Sequence, residues 1–295
     1  MSNNKILNKT MRREDLDSPE ASEIIDDLNN LIKELRQKDV KISTWYGSFD
    51  LVDEPLEVIN RGYGYQPLAG AADDTNFPWF LYWEIVWIVL NNDFRQGQRL
   101  LDLGGSSSLF SYYLASKGLD VTTVDLQPEL AENGNVTAAK MGWQLKNHTM
   151  DMRELNFDST FDHITSVCVF EHIPMFARVE INKKIKALLK DGGHFSITFD
   201  YRNPSQLAKI NTAQDVQEQF VVPSGLVVRG NKEFHDEDQN YLLTPFYYKE
   251  RLYRYKLSCL RDRHFSPLEF FKTKTENDYT FASLFMKKGE QLTPV

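Results

Sequence analysis

Residues 100–118, LLDLGGSSSLFSYYLASKG, decide the fold. An apolar run, LLDL, meets Gly104 and Gly105 and then Ser106, Ser107 and Ser108, before an apolar helical pattern opens at Leu109. That order reads as strand, tight turn and helix. Glycine adopts positive φ and lets another group approach the backbone, while serine caps a helix whose free amides face a ligand at its positive end. In an open α/β sheet the first strand-helix turn faces the ligand crevice.

Outward from this turn, short apolar runs alternate with helical patterns. Strands are predicted at 99–103, 120–125, 144–150, 161–167, 194–200, 225–229 and 278–287, and helices near 108–117, 130–141, 175–190 and 212–220. The alternation predicts an α/β fold, a doubly wound and mostly parallel seven-stranded sheet with helices on both faces. Residues 98–295 form this domain, with an insertion at about 230–277 before the last strand. Residues 1–97 are expected to make an N-terminal helical and loop cap. Within it, Ser18-Pro19-Glu20 opens an amphipathic helix with Ile24, Ile25, Leu28, Leu31, Ile32 and Leu35 on one face. The first ten or so residues are polar and expected to be mobile.

Composition narrows the function classes. The chain of 295 residues is 41% hydrophobic and 13% aromatic, enough for a large packed core. With 34 basic and 42 acidic side chains its net charge is -8, which opposes broad attachment to nucleic acid or to anionic membrane. The only cysteines are Cys168 and Cys259, too few for a disulfide framework, and the opening residues lack a signal-peptide pattern, so a cytoplasmic setting is expected. The most apolar run, FPWFLYWEIVWIVL at 77–90, contains Glu84 and is too short to span a bilayer. It reads as a buried helix.

Asp125 ends the second strand of the domain and can accept both ribose hydroxyls of an adenosine ligand. A dinucleotide cofactor calls for G-x-G-x-x-G, but after Gly104-Gly105 the next glycine is Gly118. The dehydrogenase reading weakens. Asp102, just before the turn, would repel phosphate and favour a cationic or zwitterionic ligand.

At this point residues 98–288 resemble the class I S-adenosylmethionine-dependent methyltransferases, which have a Rossmann-like domain. Their first motif is an acid, any residue, and three alternating glycines; Asp102, Gly104, Ser106 and Ser108 lie on that frame with Gly105 between, so serine replaces two of the three glycines. The resemblance implies S-adenosyl-L-methionine as cofactor. It places Asp125 of VTTVDL at the ribose with Leu126 beside the adenine, and Asp151 and Met152 of TMDMREL at the adenine edge and face. In FDHITSVCVFEHIP it puts Ser166 and Val167 near the methionine moiety and Glu171-His172 at the next helix start, and LLKDGGHFSITF fits the helix, turn and strand that follow. Ser106 and Ser108 then present amides to the cofactor's amino-acid end, with the strained backbone expected at Ser106.

For the chemistry, Glu171 and His172 are the candidates for general base, although a helix-start histidine and a first-turn acid also have purely structural uses. His163 and His194 read as structural. Tyr63 and Tyr65, in the loop ahead of the domain, can offer an aromatic face to a sulfonium. The segment 233–239, EFHDEDQ, reads as an exposed acidic loop rather than a metal site, and no metal is expected. The basic run 249–263 is a solvated face that could also receive an anionic group. The expected activity is in-line methyl transfer to the oxygen or nitrogen of a small-molecule acceptor. A carrier-bound or macromolecular substrate, or a non-catalytic binding protein of the same fold, is the alternative. The acceptor and the oligomeric state are not legible.

Overall fold

The computed structural model of the protein describes residues 6–45, 47–50, 76–203, 210–236, 257 and 279–289. The strands among them are β1 (Lys9–Thr10), β2 (Arg99–Leu103), β3 (Asp120–Asp125), β4 (Leu145–Thr149), β5 (Phe161–Val167), β6 (Leu189–Tyr201), β7 (Val227–Val228) and β8 (Thr280–Lys287). They form one sheet in the order β1-β8-β6-β5-β2-β3-β4, with β7 also paired to β8. β2, β3, β4, β5 and β6 run parallel, and β8 is antiparallel to β6, to β1 and to β7. β2 sits at the centre. Chain order reverses there, since Leu100 registers with Val121 on one side and with His163 on the other. A crevice opens at such a reversal, beyond the carboxyl ends of the strands.

The long helices are α1 (Pro19–Gln37), α2 (Trp79–Leu90), α3 (Leu109–Ser116), α4 (Pro128–Met141) and α5 (Met175–Leu188). Ser18 caps α1 through its Oγ, which accepts from Ala21 N at 3.1 Å, and the apolar side chains of the predicted stripe are buried apart from a half-buried Ile24. α1, α2 and α3 share one apolar cluster with Leu100 and Val121. A second cluster joins Leu101, Leu103 and Ile164 to Ile181, Ile185 and Leu188 of α5. Successive residues of β2 thus feed different clusters, as a pleated strand buried on both faces must. A short helical run, Ala213–Val216, a π turn at Gln217–Val221 and Val222–Ser224 packs beside α5.

Three expectations are corrected. The sheet has an eighth strand, because the segment expected to be mobile supplies β1: Leu7 to Met11 are buried, and Asn8 Oδ1 accepts from Phe285 N at 2.7 Å while its Nδ2 donates to Arg229 O. Polar side chains here replace the ladder partners that so short a strand lacks. β6 begins at Leu189, ahead of the predicted residue 194, and β7 has two residues because β1 and β7 share the outer edge of β8. Of the expected insertion, residues 230–236 lie on the N-terminal segment, where His235 N donates to Asn8 O at 2.9 Å. Tyr63, Tyr65 and, apart from helical Leu257, the segment 237–278 lie outside the described residues.

Candidate functional site

The turn after β2 is built around Asp102. Its carboxylate is buried, with Oδ2 accepting from Ser111 Oγ at 2.7 Å and Oδ1 accepting from Thr165 Oγ1 at 2.8 Å. Burial pushes its pKa up to about 6, against the pull of those two hydroxyls. A Cβ on Gly105 would lie 1.7 Å from Asp102 Oδ2, so that position admits glycine alone beside this carboxylate. Gly104 has φ +84, and a Cβ on it would fall 2.6 Å from Val169 Cγ1, which covers the turn from the end of β5.

The serines divide the work differently from the expectation. Ser108 is the N-cap of α3, its Oγ accepting from Ser111 N at 3.1 Å, as predicted. Ser106 is buried and its Oγ lies 2.6 Å from Thr123 Oγ1; because Thr123 donates its proton to Asn147 Oδ1, Ser106 is the donor of that pair. The left-handed backbone lies at Ser107, with φ 60, and not at Ser106. Ser107 Oγ donates to Leu130 O at 2.7 Å and accepts from Tyr112 Oη and Asn133 Nδ2, while its carbonyl accepts from Ser43 N at 2.9 Å. These bonds hold an otherwise costly conformation.

At the end of β3, Asp125 is buried and its Oδ1 accepts from Gln127 N at 3.0 Å. Burial raises its pKa, and the neighbouring amides of Gln127, Leu126 and Ser106 oppose the rise. Leu126 beside it is 69% exposed, an apolar face left open next to the carboxylate. After β4, Asp151 caps a short 3-10 turn through Arg153 N at 2.8 Å and pairs with the Arg153 side chain, which lowers its pKa; Met152 is buried next to it. In β5, Ser166 is fully buried and its Oγ donates to Leu103 O at 3.1 Å, so this hydroxyl serves the sheet. Val167 is half-buried at the strand end.

Beyond Val167 the chain turns through Cys168, at φ 53, into Phe170–His172. Glu171 is buried, its Oε1 accepting from Asp200 N at 3.2 Å, whereas His172 is exposed with Nε2 3.8 Å from Glu171 Oε1. Arg178 of α5 fixes this turn. Fully buried, it donates to the carbonyls of Phe170, Glu171 and Ile173 and to Gln219 Oε1. Asp200, at the end of β6, accepts from Asn203 Nδ2 at 2.6 Å and from Cys168 Sγ at 3.5 Å; burial and then Glu171 push its pKa up to about 7. Glu84, reaching in from α2, is also buried, and burial followed by the Glu171 charge holds its pKa well above the usual range. Donor atoms of Cys168, Glu171 and His172 lie within 4.8 Å of one another, but burial keeps the thiol protonated, and a neutral thiol is a poor metal ligand.

The structure thus brings Asp102, Gly104, Gly105, Ser106, Ser108, Asp125 and Leu126 to one end of the parallel strands, with Glu171 beyond Val169. His163 and His194 lie toward the opposite ends of β5 and β6, their rings meeting edge to face at 5.3 Å, and burial pushes both pKa values down to about 4. His235 lies against the N-terminal strand, and Asp236 pairs with Arg202 and Tyr201. Glu84, Ser111, Thr165, Arg178 and Asp200 escaped the sequence reading as site residues, and Ser107 was read there as one of three turn serines without its left-handed backbone. Only Glu84 carried a signal, as the single charge in an apolar helix.

The family model described as a methyltransferase domain matches residues 100–193. The ubiquinone biosynthesis O-methyltransferase of Xanthomonas euvesicatoria pv. vesicatoria is 30% identical over 114 residues, which is 38% of this chain and 47% of that protein. The corresponding enzyme of Xanthomonas campestris pv. campestris is 29% identical over the same length and shares. The chain therefore spans about half the length of the curated relatives it matches. Among solved structures, the YcgJ protein of Bacillus subtilis aligns with a TM-score of 0.51 at 16% identity, over 71% of this chain and 99% of that one. The cyclase SpnF aligns at 0.52 and 13%, over 91% of this chain and 94% of that one. Residues 100–193 thus match a methyltransferase domain, and the chain shares the fold of these two solved structures.

No helix among the described residues is long and apolar enough to cross a membrane.

Proposed function

We propose that the protein is a methyltransferase that takes its methyl group from S-adenosylmethionine and passes it to the oxygen or nitrogen of a small molecule. The observation that carries this reading is the cradle at the head of β2 and β3. There a buried carboxylate that demands glycine at residue 105 stands beside a second buried carboxylate, Asp125, and an exposed apolar side chain, Leu126. The residues fit the cofactor: Asp125 offers acceptors for ribose hydroxyls, Leu126 a face for adenine, and Asp102 a negative charge for an amino group.

When bound, S-adenosylmethionine supplies an electrophilic methyl whose transfer neutralises the sulfonium. The chain's own tasks are to align the acceptor with that methyl and to exclude water. The amide of Ser108 is spent on Gly105 O and that of Ser111 on Ser108 Oγ, so the ligand in this reading meets the carboxylates of the turn rather than these amides. Glu171 and the exposed His172 stand at the end of β5 and can take a proton from an acceptor that must lose one. The O-methylation named in the Xanthomonas relatives supports a small acceptor carrying a hydroxyl.

Titration calorimetry of the full chain with S-adenosylhomocysteine and with NADH tests the reading. Tight binding of the first and weak binding of the second is expected. The reverse order would favour a dehydrogenase, and binding of neither would remove the cofactor site.

A further inference from the structure

Ser106 follows the two glycines of the turn after β2, and its hydroxyl is directed into the sheet. It donates to Thr123 Oγ1 of β3 at 2.6 Å, and Thr123 donates in turn to Asn147 Oδ1 of β4 at 2.7 Å. Thr123 is the register partner of Asn147 on one side and of Asp102 in β2 on the other. A polar row thus crosses three neighbouring strands beneath the turn. All four side chains are buried, where a polar group without a partner would weaken the fold.

The far end of the row is gripped by α4. Asn147 N donates to Asn135 Oδ1 at 2.8 Å and Asn135 Nδ2 donates to Asn147 O at 2.9 Å, so helix and edge strand are bonded reciprocally. One residue earlier in α4, a Cβ on Gly134 would lie 2.5 Å from Asn147 Cγ. Glycine inside a helix is less favourable than alanine, and here it leaves the room that the asparagine side chain fills. A hydroxyl buried in a turn, a polar side chain buried on an edge strand and a glycine within a helix each weaken the fold when taken alone. Here all three serve one line of hydrogen bonds that ends at the cofactor turn.

We infer that Thr123 and Asn147 are positioning residues for cofactor binding, which hold the Ser106 hydroxyl and so fix the turn after β2 relative to Asp125. Thr123 and Asp125 lie two residues apart on β3 and share one face of the strand, so a turn fastened to Thr123 is fastened beside the carboxylate proposed for the ribose. The Ser106 amide is also among the donors that oppose the rise in the Asp125 pKa. With Ser106 held in this way, the left-handed backbone falls to Ser107, which α4 and Tyr112 secure in turn. A turn ordered by the protein spares the ligand the entropic cost of ordering it. The inference rests on the methyltransferase reading, because that reading makes the turn and Asp125 two sides of one pocket.

The test is titration calorimetry of the full chain with S-adenosylhomocysteine, with folding checked by circular dichroism. Thr123→Val keeps the shape of the side chain and removes its hydroxyl, and Asn147→Leu removes the acceptor at like size; each should weaken binding about tenfold. Thr123→Ser restores the hydroxyl and should bind within about threefold of wild type. Ser106→Ala removes the other end of the bond with the least change in packing and should also weaken binding. Combined with Thr123→Val it should lose no more than the larger single loss, since both act through one bond. Ser283→Ala separates positioning from stability: it strips a fully buried hydroxyl in β8, bonded to Trp87 and Leu7 at the other side of the sheet, so it should lower the melting temperature and leave the affinity unchanged. A folded Thr123→Val, Asn147→Leu or Ser106→Ala with wild-type affinity, additive losses in the double variant, or an equal loss of affinity in Ser283→Ala would each overturn the inference. A wild-type chain that does not bind S-adenosylhomocysteine would overturn the methyltransferase reading instead.

Discussion

The Asp102 carboxylate occupies the space that a side chain on Gly105 would need: a Cβ there would lie 1.7 Å from Oδ2 and 3.0 Å from Ser111 Oγ. Gly105→Ala must therefore push Asp102 away from Ser111 and Thr165. Overpacking of this kind costs about 1–3 kcal/mol, and cofactor affinity should fall at least about tenfold. Thermal unfolding and calorimetry with S-adenosylhomocysteine check both. Gly289→Ala, where a Cβ meets nothing within 4 Å, is the neutral control.

Ser107 should behave unlike an ordinary buried serine. Both Ser107→Gly and Ser107→Ala lose the bond to Leu130 O, but alanine must also hold the left-handed backbone. Glycine should therefore be the less destabilising by about 1 kcal/mol, the opposite of the usual order. An alanine variant that melts above the glycine variant would show that the turn relaxes out of φ 60.

Asp125→Ala removes acceptors that face the ribose in the proposed pose. Charge-assisted bonds contribute about 1.5–3 kcal/mol each, so S-adenosylhomocysteine should bind at least about tenfold more weakly. Circular dichroism would establish that the variant is folded; unchanged affinity in it would move the ribose elsewhere.

The buried acids should cost the ligand-free chain stability as pH rises from the ordinary carboxylate range to about 7. Folded Glu84 and, with a value of about 7, Asp200 keep protons that the unfolded chain gives up in the ordinary carboxylate range. The folded state then binds more protons, so stability is fullest below that range and is lost as pH climbs through the raised values. The slope is at most about 1.4 kcal/mol per pH unit for one group such as Glu84. His163 and His194 oppose this only on the acid side: their folded values of about 4 lie below the ordinary 6.5, so their contribution is present above 6.5 and is lost as pH falls through 4. Between about pH 5 and 7 the wild type should lose melting temperature relative to Glu84→Gln, because Glu84 keeps its proton in the folded chain alone. Equal slopes for both proteins would remove Glu84 from the cause.

Arg178→Met would leave the carbonyls of Phe170, Glu171 and Ile173 without their buried donor. A loss of about 3–5 kcal/mol is expected by urea unfolding. A loss below about 1 kcal/mol would mean that the 170–173 turn is held by its own backbone.

Order along the chain determined the doubly wound sheet and the cradle. Alternating apolar runs and helical stripes are local patterns, and Asp102, Gly104, Gly105 and Asp125 lie where strand ends and turns place them. The N-cap role of Ser108 was legible for the same reason. What local pattern does not encode is which hydroxyl or carbonyl a polar group meets across the fold. The β1 strand exists because Asn8 finds Phe285 and Arg229, distant in sequence. The left-handed residue is Ser107 rather than Ser106 because Ser106 is drawn to Thr123, while Ser107 is held by Leu130, Tyr112 and Asn133. Glu84, Glu171 and Asp200 come from a helix, a turn and a strand end, and only tertiary packing takes all three out of water together. Burial raises the pKa of each, since a low dielectric disfavours the charged form.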